Sequence, residues 1–152
     1  TNPRAYRALV SALTNEPDGR ELAELHERWA EKCTDPAEAA RAWAEAGERR
    51  EAMGELPRAG RDHWKALELD PRQTVAGRGF LRLATDGRDL HRNLEQLTRW
   101  AERLQEVGAS ATERAEVELA IARVHAAVPG RLDRSFEHHR AAVAVSAAQY
   151  TG

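Results

Sequence analysis

The chain is poor in cysteine and has no long apolar run. Cys33 is the single cysteine among 152 residues, which excludes an internal disulfide and a cysteine-rich metal site and is typical of a reducing compartment. No run of about 18 or more apolar residues occurs, and the start has no signal-peptide pattern. The sequence therefore predicts a protein without membrane insertion and with a cytoplasmic location.

Aromatic residues and lysines are also scarce. Aromatic side chains make up 5% of the chain, against 41% hydrophobic and 32% charged residues, a balance typical of a helical domain with an alanine and leucine interior. The net charge of -2 is too small to attract nucleic acid non-specifically. Lysine occurs only at positions 32 and 65, which we interpret as the bias of a GC-rich bacterial gene. Because the chain opens on Thr1 without an initiator methionine, we expect it to be part of a longer protein.

Turn and cap residues divide the chain into about eight predicted helices. Helix starts are predicted at Asn2-Pro3, Asp35-Pro36, Asp70-Pro71 and the capping box from Ser110 to Glu113. Helix ends are predicted at Met53-Gly54, Thr85-Asp86-Gly87 and Gly108. These residue types satisfy the first free N–H groups of a helix or adopt the left-handed backbone that follows its last turn. The starts near 3, 36, 71 and 111 predict four hairpins of similar length.

One segment carries small residues at a regular spacing. Between Ala40 and Pro71 these are Ala46, Gly47, Gly54, Ala59 and Ala66, and Trp43 precedes them and Pro71 closes the segment. Small residues let two helices approach closely, and proline stops the second helix. The pattern resembles the tetratricopeptide repeat, although Arg50 and His63 stand where that family favours aromatic side chains. The resemblance implies an all-α, right-handed superhelix of about four antiparallel hairpins in one domain, at about 1–35, 36–70, 71–108 and 109–152.

The resemblance also implies a function, because tetratricopeptide repeats mostly act as non-enzymatic scaffolds that bind a peptide or helix in a concave groove. Arg78 and Arg82 lie on the helix that lines this groove in the family, four residues apart, and would form a fork for a carboxylate. Glu48 and Glu51 would add negative charge to the same groove. Trp64 is predicted to be an outer anchor for a partner. We therefore expect a protein or peptide partner rather than nucleic acid.

No residue pattern indicates catalysis, a metal or a cofactor. The histidines at 26, 63, 91 and 125 fall on separate predicted helices without metal-ligand spacing. His138 and His139 are adjacent, so on a helix they point about 100° apart. Cys33 lies on an apolar helix face and is predicted to be a small buried hydrophobe. The sequence therefore predicts that the chain is not an enzyme.

Alternatives remain open at this stage. The chain could be a regulatory or sensor segment of a larger signalling or transcription protein, or a helical appendage of an enzyme. Trp29 and Trp43 belong to apolar stripes and are predicted to be core. The last predicted helix is apolar nearly all round from 141 to 148, which predicts either further repeats or pairing with another subunit.

Overall fold

The computed structural model describes residues 2–16, 18–86, 89–127, 140 and 143. Within these residues the chain is helical and has no strand, which confirms the all-α prediction. The helices are α1 (Pro3–Leu13), α2 (Arg20–Lys32), α3 (Pro36–Ala52), α4 (Leu56–Leu69), α5 (Thr74–Thr85), α6 (Leu90–Glu106) and α7 (Ala111–Ala127). None of the described helices is long and apolar enough to cross a membrane. The chain divides into two compact units, Thr1–Phe80 and Leu81–Gly152.

The predicted helix starts are confirmed at three places by their side-chain caps. Asn2 Oδ1 accepts hydrogen bonds from the backbone N–H groups of Arg4 and Ala5 at the start of α1. Asp35 Oδ1 caps α3 in the same way, 3.2 Å from the N–H of Ala37. Ser110 and Glu113 form the reciprocal capping box of α7, in which each side chain accepts from the other residue's backbone N–H. Local sequence alone specifies these starts, because each cap joins residues at most three positions apart.

The start of α5 differs from the prediction. The sequence places it at Asp70-Pro71, whereas the helix begins at Thr74. Asp70 instead closes a tight turn, since its Oδ1 accepts from the N–H of Arg72 at 3.0 Å and its carbonyl accepts from Gln73 at 3.1 Å. The Gln73 side chain then supplies a cap by accepting from the N–H of Ala76 at 2.8 Å. The proline therefore lies in the connection and not in the first helical turn.

The helices of the first unit pack in chain order. α1 packs against α2, α2 against α3 and α3 against α4. The α3 face that enters the core consists almost entirely of alanines and Trp43, which is 5% exposed. Small side chains let helix axes approach closely. The prediction that Trp43 is core is therefore confirmed.

The closest approach in this unit centres on His63 of α4, which is fully buried. A Cβ added at Gly47 of α3 would lie 2.6 Å from the imidazole, and one added at Gly79 of α5 would also overlap the ring. The His63 ring therefore requires glycine on both sides. The glycines bring the three helices together around one ring.

The second unit is built on α6 and α7, which pack against each other. Their core consists of Leu94, Leu97, Trp100, Leu104, Val117, Ile121 and Val124, each at most 6% exposed. The side-chain amide of Asn93 donates to the carbonyl of Ala84 at 3.1 Å and ties α6 to the end of α5. The predicted eighth helix, including the apolar stretch 141–148, lies outside the described residues except for Arg140 and Val143.

Candidate functional site

A cleft of about 120 Å³ opens in the first unit where α1, α2 and α3 meet. It is lined by Pro3, Tyr6 and Arg7 of α1, Trp29 of α2, and Glu38, Arg41, Ala42 and Glu45 of α3. The lining combines two aromatic rings with four charged side chains of both signs. Such a lining combines apolar surface for contact with polar groups that can orient a ligand.

Two stacked rings line the cleft. The Tyr6 and Trp29 rings lie 4.5 Å apart between centroids with planes 8° apart, and this contact joins α1 to α2. Trp29 is half-buried, so the prediction that it is a core residue is corrected. The helical stripe that carries Trp29 was recognised correctly, but part of its ring faces the cleft instead of a further helix.

A buried polar chain fixes the Tyr6 ring from behind. Tyr6 Oη lies 2.6 Å from Nδ1 of His26, and His26 Nε2 lies 3.6 Å from a carboxylate oxygen of Glu45. Within the described residues His26 Nε2 has no hydrogen-bond partner, and the imidazole tautomer sets which of Tyr6 Oη and His26 Nδ1 is the donor. The hydrogen bond joins α1 to α2, and Glu45 places a carboxylate of α3 beside the imidazole.

The pKa values of Tyr6 and His26 are shifted so that both side chains are neutral at neutral pH. Burial, with added repulsion from Glu45 and Cys33, raises the pKa of Tyr6 to about 12. Burial, with added repulsion from Arg49, lowers the pKa of His26 to about 4. Both effects follow from the cost of a charge in a low-dielectric environment. At neutral pH the pair therefore holds a ring in position and does not generate a phenolate nucleophile.

The charged groups of the cleft differ in how they are engaged. Glu45 faces His26, and Glu38 accepts a weak hydrogen bond from the Cys33 thiol at 3.7 Å. Arg7 and Arg41 are exposed, and within the described part of the chain neither forms an ion pair or a side-chain hydrogen bond. The cleft thus offers two unengaged guanidinium groups.

Cys33 differs from its predicted role as a small buried hydrophobe. It is only half-buried, and its Sγ also lies 3.6 Å from the carbonyl of Asp35. The residue follows the last turn of α2, where the chain leaves the helix in an extended conformation. Cys33 continues the apolar stripe of α2 in the sequence, but its side chain faces the loop that follows the helix.

The residues that the sequence singles out for binding lie elsewhere. Arg78 and Arg82 are exposed on α5, and Glu48 is exposed on α3. Glu51 is half-buried, with Oε1 3.2 Å from His63 Nε2, so its carboxylate supports the interior. Trp64 is half-buried and packs against Phe80 with ring centroids 5.4 Å apart. None of these five residues lines the cleft, and their role in binding stays a prediction.

A second polar cluster lies inside the same unit around Arg50 of α3, which is 2% exposed. Its guanidinium group contacts Glu27 of α2 at 2.7 and 2.8 Å and Glu55, before α4, at 2.7 Å. Burial alone would lower the pKa of Arg50, but hydrogen bonds and charges from the two carboxylates outweigh it and raise the pKa. The sequence holds one indication of this cluster, because Arg50 stands where the resembled repeat family favours an aromatic side chain.

Asp62 of α4 lies near this cluster and is 1% exposed. Within the described residues neither of its carboxyl oxygens has a hydrogen-bond partner. Burial, reinforced by the negative charge of Glu27, raises the pKa of Asp62 to about 7. Sequence reasoning missed this group, because only the packing of α4 shows that an aspartate faces inward.

Within the described residues no group of three or more histidine, cysteine or acidic side chains could hold a metal ion. Comparison with known proteins finds no matching family model, no matching curated protein and no matching solved structure.

Proposed function

We propose that this chain is a protein-interaction module that binds an extended peptide segment in the cleft between α1, α2 and α3. The observation that carries the proposal is the combination of the stacked Tyr6 and Trp29 rings with the unengaged arginines Arg7 and Arg41 in one cleft. We therefore propose to test this cleft first, before the groove that the sequence predicts around Arg78 and Arg82.

The aromatic surface suits a binding site because it is already ordered. Tyr6 is held by Trp29 on one side and by the hydrogen bond to His26 at its hydroxyl. A ring fixed in this way loses little conformational entropy on binding, so more of its contact energy contributes to affinity. An apolar or aromatic side chain of the ligand would pack here.

The charges favour an acidic ligand, although the cleft contains both signs. Glu38 lies 3.7 Å from the Cys33 thiol and Glu45 lies 3.6 Å from His26 Nε2, whereas Arg7 and Arg41 have no ion pair or side-chain hydrogen bond within the described residues. An arginine pairs with a carboxylate through two parallel hydrogen bonds. The two arginines come from different helices, and each can pair with a separate acidic side chain of the ligand. The proposed ligand is therefore an extended peptide that carries acidic residues beside an apolar one.

The helix order also supports an interaction module. Successive helices of the first unit pack in sequence, as they do in helical-hairpin repeats, whose surfaces commonly bind peptides. We propose that the chain belongs to such a repeat architecture, with a right-handed superhelix as the expected arrangement.

A random-peptide display library tests the proposal against matched charge reversals. The baits are the parent chain, an Arg7→Glu/Arg41→Glu variant of the cleft, an Arg78→Glu/Arg82→Glu variant and an Arg4→Glu/Arg28→Glu control. Each pair replaces two exposed arginines, so all three variants carry the same charge change. Circular dichroism establishes that each bait remains helical.

We expect the parent and the Arg4→Glu/Arg28→Glu control to enrich the same acidic and apolar peptides, and the cleft variant to lose them. Loss of one charge-assisted hydrogen-bonded pair costs about 1.5–3 kcal/mol, so the affinity of the cleft variant should fall at least roughly tenfold. Enriched peptides that bind the cleft variant as well as the parent would contradict the proposed site. Loss only in the Arg78→Glu/Arg82→Glu variant would move the site to α5.

A further inference from the structure

Asp62 is an ionisable group in the interior without a bonded partner. It lies on the inward face of α4 beside fully buried His63 and is itself 1% exposed. Within the described residues both carboxyl oxygens lack a hydrogen-bond donor. Buried carboxylates in folded proteins are normally hydrogen-bonded or ion-paired, so a bare one requires an explanation.

The surrounding charges do not supply a partner for an ionised Asp62. Glu27, from α2, repels it. The attractive charges are Arg50 of α3 and, on the same helix as Asp62, Arg61 and Lys65. Their attraction is outweighed by burial and by Glu27, which together raise the pKa of the Asp62 carboxyl.

None of the three cations forms a hydrogen bond with Asp62. Arg50 is held by Glu27 and Glu55 through contacts of 2.7 Å on each side. The Lys65 ammonium group lies 4.2 Å from the centroid of the Trp43 ring, on which it makes a cation–π contact. Arg61 is exposed, and its charge is screened by water. The proton is thus the simplest partner available to Asp62.

We propose that Asp62 is a proton-operated switch of the first unit: the carboxyl is protonated in the tightly packed form, and its ionisation loosens α4 from α3. An ionised carboxylate in this position must recruit water or turn away from the interior, and either change disturbs the packing of α4. The inference is independent of the peptide cleft, since Asp62 does not line it.

Denaturation by urea at a series of pH values tests the switch by comparing the parent with Asp62→Asn. The amide has the shape of the protonated carboxyl and cannot ionise. The sign follows from the pKa, which rises from 3.8 to about 7 on folding: over this range the folded form holds a proton that the unfolded form has lost, so stability falls as pH rises. The two midpoints should coincide near pH 3.8, and the variant should become progressively more stable than the parent up to about pH 7.

All other titrating groups are common to both proteins and cancel in this difference. Asp86→Asn is the matched control, because Asp86 is exposed and the same substitution there removes an equal charge without changing the interior. A pH-independent difference between the parent and Asp62→Asn would overturn the proposal.

A second measurement decides the case if Asp62→Asn fails to fold. Carbon-detected NMR of the parent follows the Asp62 carboxyl carbon together with the backbone amides of α4. We expect the carboxyl to titrate with a midpoint near 7 and hydrogen exchange in α4 to accelerate at the same midpoint relative to α6. A carboxyl midpoint near the ordinary 3.8, or a midpoint near 7 without any change in α4, would overturn the switch.

Discussion

The hydroxyl of Tyr6 forms a hydrogen bond of 2.6 Å with Nδ1 of His26 and joins α1 to α2. α1 has no fully buried residue, so its attachment depends on a few contacts. Tyr6 makes two of them, since it also stacks on Trp29. The same ring lines the cleft, and the geometry of the proposed binding surface therefore depends on this bond.

Replacement of Tyr6 by phenylalanine should weaken the attachment of α1. Tyr6→Phe keeps the ring on Trp29 but leaves buried Nδ1 of His26 without its hydrogen-bond partner, which typically costs about 1–3 kcal/mol. We expect faster hydrogen exchange in α1 and a lower urea midpoint. Unchanged exchange in α1 would show that the hydrogen bond contributes nothing to its position.

His26 should make the first unit sensitive to acid. Its pKa is about 4 in the folded chain, against an ordinary value of 6.5, so the stability due to the neutral imidazole is complete above pH 6.5 and is lost as pH falls toward 4. Asp62 has the opposite slope over nearly the same range and offsets it in the parent. In Asp62→Asn we therefore expect the free energy of unfolding to fall by about 1.4 kcal/mol per pH unit as the pH is lowered from 6.5 to about 4.

The measurement is urea denaturation of Asp62→Asn and of Asp62→Asn/His26→Gln over the same pH range. The slope should be present in the first and absent in the second. A profile for Asp62→Asn that is flat between pH 6.5 and pH 4 would contradict the lowered pKa of His26.

Removal of the Arg50 guanidinium should strongly destabilise the first unit. Arg50→Met leaves Glu27 and Glu55 with no cation between them, and breaking a buried ion pair from one side costs about 3–5 kcal/mol. Arg50→Lys should recover only part of this, because an ammonium group cannot reproduce the planar fork. Urea denaturation measures both losses.

Arg58→Met provides the matched control, since Arg58 is exposed and lies 3.9 Å from Glu55 at the surface. It should change stability by about 0–1 kcal/mol. Equal losses of stability for Arg50→Met and Arg58→Met would mean that the buried ion pairs of Arg50 stabilise the unit no more than a surface ion pair does.

Substitution at Gly47 separates packing from helix propensity. Alanine is intrinsically better than glycine inside a helix by about 1 kcal/mol, but a Cβ at this position would lie 2.6 Å from the His63 ring. We expect the overlap to dominate and Gly47→Ala to destabilise by about 1–3 kcal/mol. Thermal unfolding gives the sign directly. A Gly47→Ala variant more stable than the parent would refute the close approach of α3 and α4.

Much of the fold could be predicted from the sequence because its signals are local. The caps at Asn2 and Asp35 each need only the next two or three residues. Gly54 and Gly108 end α3 and α6 with left-handed backbones, at φ values of +77° and +71°. The exception is the start of α5, where a Gln73 side chain provides the cap, a choice that residue preferences do not indicate.

The cleft could not be predicted from the sequence because its residues are distant in the chain. Tyr6, Trp29 and Glu45 come from three helices, and no spacing pattern joins them. The burial of Asp62 and Arg50 could not be predicted either. In the sequence each is an ordinary polar residue of an amphipathic helix, and only the packing of the helices shows that it faces the interior. The acidic Glu51, predicted for the groove, is directed toward His63, a contact that depends on how α3 and α4 cross.

The most direct test of the binding site is NMR titration of the parent with one acidic and apolar peptide enriched in the display selection. The chain has four tryptophans, so single Trp→Phe substitutions assign the indole signals. We predict that the Trp29 indole and the Arg7 and Arg41 side chains shift on binding, whereas Arg78 and Arg82 do not. Shifts confined to Arg78, Arg82 and Trp64 would contradict the cleft and place the interaction on the residues first suggested by the sequence.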